Sequence, residues 1–156
     1  MAMIAALGLL AGGALLGTPG IAGAESTQSP IVSFQSPTEW GYYLKNVDNS
    51  GPTMSPGLAI LGPYLEWRFE TSRVIQSVYT GYCLEHQGDV VMRPCRPGAR
   101  EQTFNSNQIG HNLYEIKSVS GYGAITCLAT LDNKKVVMDV CRGTPEQNWS
   151  IRPPRW

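Results

Sequence analysis

The sequence predicts an all-β fold made of three copies of one unit, and two observations carry this prediction. Four short landmarks recur along the chain in the same order, at offsets of 41 to 46 residues. Self-similarity at a near-constant period is typical of repeat architectures. The segments between turn residues are short and rich in β-branched and aromatic side chains, which is typical of strands and not of helices.

The landmarks are clearest in the two later copies. In the second copy they fall at 75–78, 81–84, 90–92 before Cys95, and 102–104, and in the third at 116–119, 125–128, 136–138 before Cys141, and 147–149. A fainter first copy falls at 31–34, 43–44, 58–60 and 65–67, without cysteines and with Leu65 in place of the glutamine. The predicted repeats therefore span about 31–73, 74–114 and 115–156.

Each copy ends on one aromatic residue, which favours a closed three-fold arrangement. Closure removes the exposed strand edges that a lone unit would present. A propeller normally needs four or more blades, and a two-sheet sandwich does not explain the repeat. The prediction is a β-trefoil, and the landmark that ends each repeat contains Trp67, Gln102, Phe104, Gln147 and Trp149.

The first 24 residues predict export. They contain no charge, are rich in Leu and Ala, and end in Ala22-Gly23-Ala24, as a signal peptide does. Breaks at Gly12, Gly13 and Pro19 make a membrane-spanning helix the poorer interpretation. We therefore expect a secreted domain at 25–156. Its 12 basic and 12 acidic residues lack the positive excess of a nucleic-acid-binding protein.

Four cysteines in an exported chain favour disulfides over free thiols. Four cysteines allow three pairings, and the repeat selects one of them. If each copy holds its own pair, Cys83 bonds to Cys95 and Cys127 bonds to Cys141. Each bond closes a small loop and is expected to stabilise the fold by about 3 kcal/mol.

The motif Gln147-Asn148-Trp149 and its weaker copies resemble the QxW signature of ricin-B-type β-trefoil lectins. The runs 40–42, 81–84, 116–120 and 147–154 also resemble the A and C subunits of bacterial cytolethal distending toxin, and the A subunit most. The resemblance implies that the aromatic packs in a shared core and that the glutamine braces the backbone. It also implies a role in which this subunit and a second trefoil subunit bind a host-cell-surface glycan or glycoconjugate and carry a separate nuclease subunit.

Glu85 and Gln87 are candidate ligand-binding residues. Glu85 stands where sugar-binding repeats of the ricin type usually carry Asp, and a carboxylate there accepts hydrogen bonds from two sugar hydroxyls. The other copies have Lys45 or Ala129 at this position, so at most one such site is expected. The alternative is a solvated glutamate in a turn.

Trp40, Tyr42 and Tyr43 are a second candidate, as an aromatic patch for receptor or partner contact. Because side chains alternate along a strand, Tyr42 and Tyr43 cannot both face inward. The alternative is that Trp40 and one tyrosine belong to the core.

No motif indicates catalysis or metal binding. His86 and His111 stand in no ligand spacing with cysteines or carboxylates, and no nucleophile elbow, HExxH or Gly-rich phosphate loop occurs. We expect no catalytic residues, no metal and no cofactor. Three hypotheses stay open: a subunit of a cytolethal-distending-toxin-like assembly, a free-standing lectin, and a secreted enzyme or inhibitor on the same fold.

Overall fold

A computed structural model describes residues 29–36, 38–48, 50–69, 73–121 and 124–154; the predicted signal peptide lies outside these ranges. Each repeat contributes four strands. The strands are β1 Ile31–Gln35, β2 Tyr42–Lys45, β3 Thr53–Pro56, β4 Trp67–Phe69, β5 Ile75–Ser77, β6 Cys83–Gln87, β7 Asp89–Arg93, β8 Phe104–Gly110, β9 Leu113–Ser118, β10 Thr126–Thr130, β11 Val136–Val140 and β12 Asn148–Arg152. One short helix, α1 Gly62–Leu65, and three 3-10 turns at Ala59–Leu61, Arg100–Gln102 and Pro145–Gln147 complete the elements.

The first and last strands of the three repeats form a closed ring. Antiparallel pairs join β1 to β4, β4 to β5, β8 to β9, β9 to β12 and β12 to β1. The gap between β5 and β8 is bridged by the Phe104 amide, which donates to the Arg73 carbonyl at 2.8 Å. Because β12 pairs with β1, the last repeat closes onto the first.

The middle strands form three hairpins, β2–β3, β6–β7 and β10–β11, which meet one another. Thr53 bridges to Lys135, and Lys135 Nζ lies 3.5 Å from Asp89 Oδ1. Gly51 has a φ of 119°, and a Cβ there would lie 2.9 Å from the Val90 carbonyl oxygen. The close approach of two hairpins therefore requires glycine at this position.

The core repeats the same contacts three times. A leucine in the first hairpin strand lies opposite a methionine in the second, as the pairs Leu44–Met54, Leu84–Met92 and Leu128–Met138. The buried end-of-repeat aromatics are Trp67, Phe104 and Trp149. Phe34 lies between the two tryptophans, with both ring centroids at 6.4 Å in edge-on geometry. Such pairs are worth about 0.5 to 1.5 kcal/mol beyond their buried area.

Two of the three aromatics are also tied to the hairpins. Trp67 Nε1 donates to the Leu44 carbonyl at 3.0 Å, and Trp149 Nε1 donates to the Leu128 carbonyl at 2.8 Å. Phe104 has no ring donor, so the second repeat lacks this bond.

The predicted disulfides are confirmed: Cys83–Cys95 and Cys127–Cys141 both form, each with a Cα–Cα distance of 5.0 Å. Beside them, Gln102 Oε1 accepts from the Arg96 amide at 2.7 Å, and Gln147 Oε1 accepts from the Arg142 amide at 2.8 Å. Each glutamine therefore binds the residue that follows the second cysteine of its own repeat.

One landmark of the first repeat was wrong. The apolar run Leu58-Ala59-Ile60 was matched to the strand at 90–92, but the strand is Thr53–Pro56 and the run leads into a 3-10 turn. Met54 is the residue that corresponds to Met92, because each lies opposite the hairpin leucine. Because the neighbours of Met54 are polar, its correspondence to Met92 was not recognised, and the apolar run at 58–60 was matched instead.

Candidate binding sites

Glu85 is held inside the second repeat. Its side chain is 2% exposed, and Oε2 accepts hydrogen bonds from Arg96 Nη2 at 2.8 Å and Gln102 Nε2 at 2.8 Å. The hydrogen bond to Glu85 raises the pKa of Arg96. The carboxylate therefore fixes Arg96 and Gln102, and its ligand-binding role stays a prediction.

A cleft of about 420 Å³ lies beside this network. It is lined by Val74, Gln76, Cys83, Cys95, Arg96, Pro97, Gly98, Gln102 and Thr103. Glu85 is not among the lining residues. Gln87 is exposed at the tip of the β6–β7 hairpin, opposite Asp89. The Arg96 side chain, which the sequence did not indicate, is 54% exposed beside this cleft, whereas Gln76 Nε2 already donates to the Gly81 carbonyl at 2.8 Å.

Trp40 is the most exposed large hydrophobic side chain among the described residues, at 91%. The Gly57 amide donates to the Gly41 carbonyl at 2.8 Å, and this bond brings Trp40 and Leu58 to the same end of the β2–β3 hairpin. Leu58 is 51% exposed, and Ile60, two residues on, is 81% exposed. We call Trp40, Leu58 and Ile60 the apolar patch.

Tyr42 and Tyr43 do not belong to this patch. Tyr42 packs against the core, and Lys134 Nζ lies 3.4 Å from the centre of its ring. The ring of Tyr43 lies against Gly57, where an added Cβ would be 2.3 Å from Tyr43 Cε2. Both tyrosines are half-buried, so of the three predicted contact residues the structure presents Trp40 alone.

Leu58 and Ile60 were missed as site residues because a short apolar run is also typical of a buried strand. The signal that separates the two cases is the flanking turn chemistry. The run lies between Pro56-Gly57 and Gly62-Pro63, a pattern that favours a turn.

The described residues contain neither a membrane-spanning helix nor a metal-binding cluster. Among them no helix is long and apolar enough to cross a membrane. No group of three or more His, Cys, Asp or Glu side chains in the same part of the chain is arranged to hold a metal ion.

Comparison with known structures identifies the architecture. The chain superposes on a β-trefoil lectin of the Vibrio vulnificus hemolysin/cytolysin with N-acetyl-D-lactosamine bound, with a TM-score of 0.62 and 13% identity over 81% of this chain and 96% of that one. The fold is a β-trefoil. The prediction of an all-β trefoil with two disulfides inside repeats is confirmed.

Other trefoils match as well. A chain of the cytolethal distending toxin of Actinobacillus actinomycetemcomitans matches with a TM-score of 0.68 and 20% identity, over 83% of this chain and 94% of that one. The designed three-fold symmetric protein ThreeFoil matches with a TM-score of 0.64 and 13% identity, over 78% and 96%. No protein-family model matches the chain, and neither does any curated protein sequence.

Proposed function

We propose that this trefoil is a secreted cell-surface-binding subunit of a cytolethal-distending-toxin-like assembly and delivers a separate nuclease subunit. The single observation that carries the proposal is the apolar patch. Trp40 at 91% and Ile60 at 81% are large apolar side chains of the first repeat that are left in water. Tryptophan is enriched at the centres of protein interfaces, and clustered exposed apolar residues mark interaction sites.

The likeness to a toxin chain supports the same proposal. The chain corresponds to 94% of a chain in a cytolethal distending toxin, so it is comparable to that whole chain and not to a fragment of it. Two disulfides fit an oxidising, extracellular compartment. In this proposal the trefoil acts by binding, and the chemistry belongs to the nuclease chain.

Affinity purification from native culture medium tests the assembly. The tagged protein is captured, and the proteins present in stoichiometric amount are identified by mass spectrometry. A nuclease chain or a second trefoil chain in the eluate is the expected result. A Trp40→Ser, Ile60→Ser variant is expected to keep these partners, because in this proposal the patch faces the cell; loss of the partners would assign the patch to the assembly instead. Recovery of the protein alone would contradict the assembly.

A second candidate is a free-standing lectin, favoured by the cleft beside Arg96. The cleft offers the guanidinium of Arg96 as a donor to sugar oxygens, and Glu85 holds this guanidinium in place. The experiment is a glycan-binding screen with the wild type and with Arg96→Ala. Glycan binding that Arg96→Ala abolishes, in a protein that captures no partner chain, would establish this candidate in place of the first.

A further inference from the structure

The three junctions between successive repeats are built alike. In each, the second residue after the hairpin leucine faces the loop after the first strand of the next repeat. These junction residues are Asn46, His86 and Thr130, and all three are buried. The trefoil thus offers three versions of one position for comparison.

Two junctions are filled by a side chain that reaches across. Asn46 Nδ2 donates to Thr80 Oγ1 at 2.9 Å. His86 Nδ1 lies 2.9 Å from Ser118 Oγ and 2.8 Å from Ser120 Oγ. In both cases a planar polar group links one repeat to the hydroxyls of the next.

The third junction is open. Thr130 is 6% exposed, and within the ranges the structure describes its hydroxyl has no hydrogen-bond partner. On the facing loop, Ser36 and Thr38 hydrogen-bond to each other at 3.0 Å. A cleft of about 170 Å³ remains where Asn46 and His86 fill the other two junctions. We call it the junction cleft.

The junction cleft carries negative charge. It is lined by Ser36, Thr38, Glu39, Met54, Thr130, Leu131, Asp132, Lys134 and Glu146, three carboxylates against one ammonium. Lys134 Nζ is bonded to Glu39 Oε2 at 2.6 Å. Hydrogen bonds from its own amide and from Thr144 lower the pKa of Glu146, so this carboxylate is ionised at neutral pH.

The residues that line the cleft therefore determine which class of ligand it can bind. An anion would be repelled by the carboxylates. A sugar is less favoured, because no aromatic side chain on which a sugar ring could stack is among the described residues that line this cleft. A cation with N–H donors suits carboxylate and hydroxyl acceptors, and a volume of about 170 Å³ suits one small head group.

We propose that the junction cleft binds a single ammonium or guanidinium head group, which donates to the Thr130 hydroxyl and to the Asp132 and Glu146 carboxylates. The head group belongs either to a lysine or arginine side chain of a protein partner or to a free small amine. This site is separate from the apolar patch, and it does not depend on the function proposed above.

The test is an NMR titration of the isotope-labelled protein, in which binding is detected as changes in amide chemical shifts. The probes are ethylammonium, ethylguanidinium and the blocked tripeptides Gly-Lys-Gly, Gly-Arg-Gly and Gly-norleucine-Gly. Cationic probes are expected to shift the amides of Thr38, Thr130 and Asp132, and the neutral norleucine peptide is not. Tripeptides that bind more tightly than the bare ions indicate a partner side chain, and equal affinity indicates a free amine.

Thr130→Asn is the decisive variant, because it places at the open junction the residue that fills the first one. It is expected to weaken binding by about tenfold or more, the equivalent of one hydrogen bond to a charged group. Retained dispersion of the amide spectrum checks that the variant folds. Glu146→Gln is expected to weaken binding about threefold, whereas Glu101→Gln, at the corresponding place in the second repeat, leaves it unchanged.

Binding of the norleucine peptide equal to that of the lysine peptide would overturn the proposal. So would shifts that persist undiminished in a folded Thr130→Asn protein, or the absence of shifts with every cationic probe.

Discussion

The first repeat contains no disulfide, whereas the second and third each contain one, and the same difference appears at the end of each repeat. Gln102 and Gln147 bind the amide that follows the second cysteine, at 2.7 Å and 2.8 Å. The first repeat has Leu65 there, fully buried. The glutamine and the disulfide therefore occur together. The first repeat has no disulfide-closed loop and so no loop amide for a glutamine to bind, and the buried Leu65 takes the place of the glutamine.

The first repeat also differs at its surface. It has a short helix at 62–65 and the apolar patch. All three repeats contribute to the core, the first through Phe34, Leu44 and Trp67. The first repeat therefore combines part of the shared core with a surface patch, and comparing a buried with an exposed tryptophan tests this division.

The largest effect is expected at Trp149. Replacement by Ala removes a fully buried indole and its 2.8 Å hydrogen bond to the Leu128 carbonyl, and the cost is about 3 to 5 kcal/mol of unfolding free energy. Trp40→Ala is the matched control and is expected to change stability by about 0.5 kcal/mol or less. Urea denaturation followed by circular dichroism measures both, and similar losses in the two variants would contradict the division.

Removing a disulfide comes next. Cys127→Ala with Cys141→Ala releases a loop of sequence separation 14 and is expected to cost about 3 kcal/mol. Cys83→Ala with Cys95→Ala, of separation 12, is the matched variant in the second repeat. Thermal unfolding of both proteins checks the values, and a negligible loss in both would show that packing alone holds all three repeats.

Gln147→Leu places in the third repeat the residue type that the first repeat has at this position, Leu65. It leaves the Arg142 and Gly143 amides and the Val140 carbonyl without their partner, at an expected cost of about 1 to 3 kcal/mol. In the variant that also lacks Cys127 and Cys141, the cost is expected to be smaller, because the loop is free to relax. Denaturation of the single and combined variants gives the coupling, and additive losses would separate the glutamine from the disulfide.

The smallest effect concerns His86. Burial lowers its pKa below the ordinary value of 6.5. The unfolded chain therefore takes up the proton first, and the stability present above pH 6.5 is progressively lost as the pH falls toward the folded pKa. Unfolding free energies at several pH values between 7.5 and 5 should show this loss in the wild type and less of it in His86→Asn. His111→Asn, at an exposed histidine, is the control and should match the wild type.

The repeat made the fold predictable. Landmarks such as Cys83-Leu84 and Cys127-Leu128 carry both the strand order and the disulfide pairing, because equivalent residues occupy equivalent places in a closed trefoil. The first repeat was harder to place. Met54 lies among Thr53, Ser55 and Pro56, so its burial came from the opposite Leu44 and not from a local pattern.

The sites were less predictable than the fold. The sequence predicted Glu85 as a ligand-binding residue, and that role stays a prediction. Its hydrogen bonds to Arg96 and Gln102 were not predicted, because these residues lie 11 and 17 positions further along the chain. The junction cleft joins Thr38, Thr130 and Glu146, which only the closure of the last repeat onto the first brings together. Contacts between residues so far apart along the chain cannot be recognised from a local sequence pattern.

Cell binding tests most directly the claim that the first repeat carries the recognition surface. The fluorescently labelled protein is titrated onto host cells and measured by flow cytometry, beside Trp40→Ser with Ile60→Ser in the first repeat and Ile109→Ser with Ile125→Ser as a control. Both variants remove exposed apolar residues. The first is expected to lower the affinity about tenfold or more while the control binds like the wild type. Equal binding by all three proteins would contradict the claim.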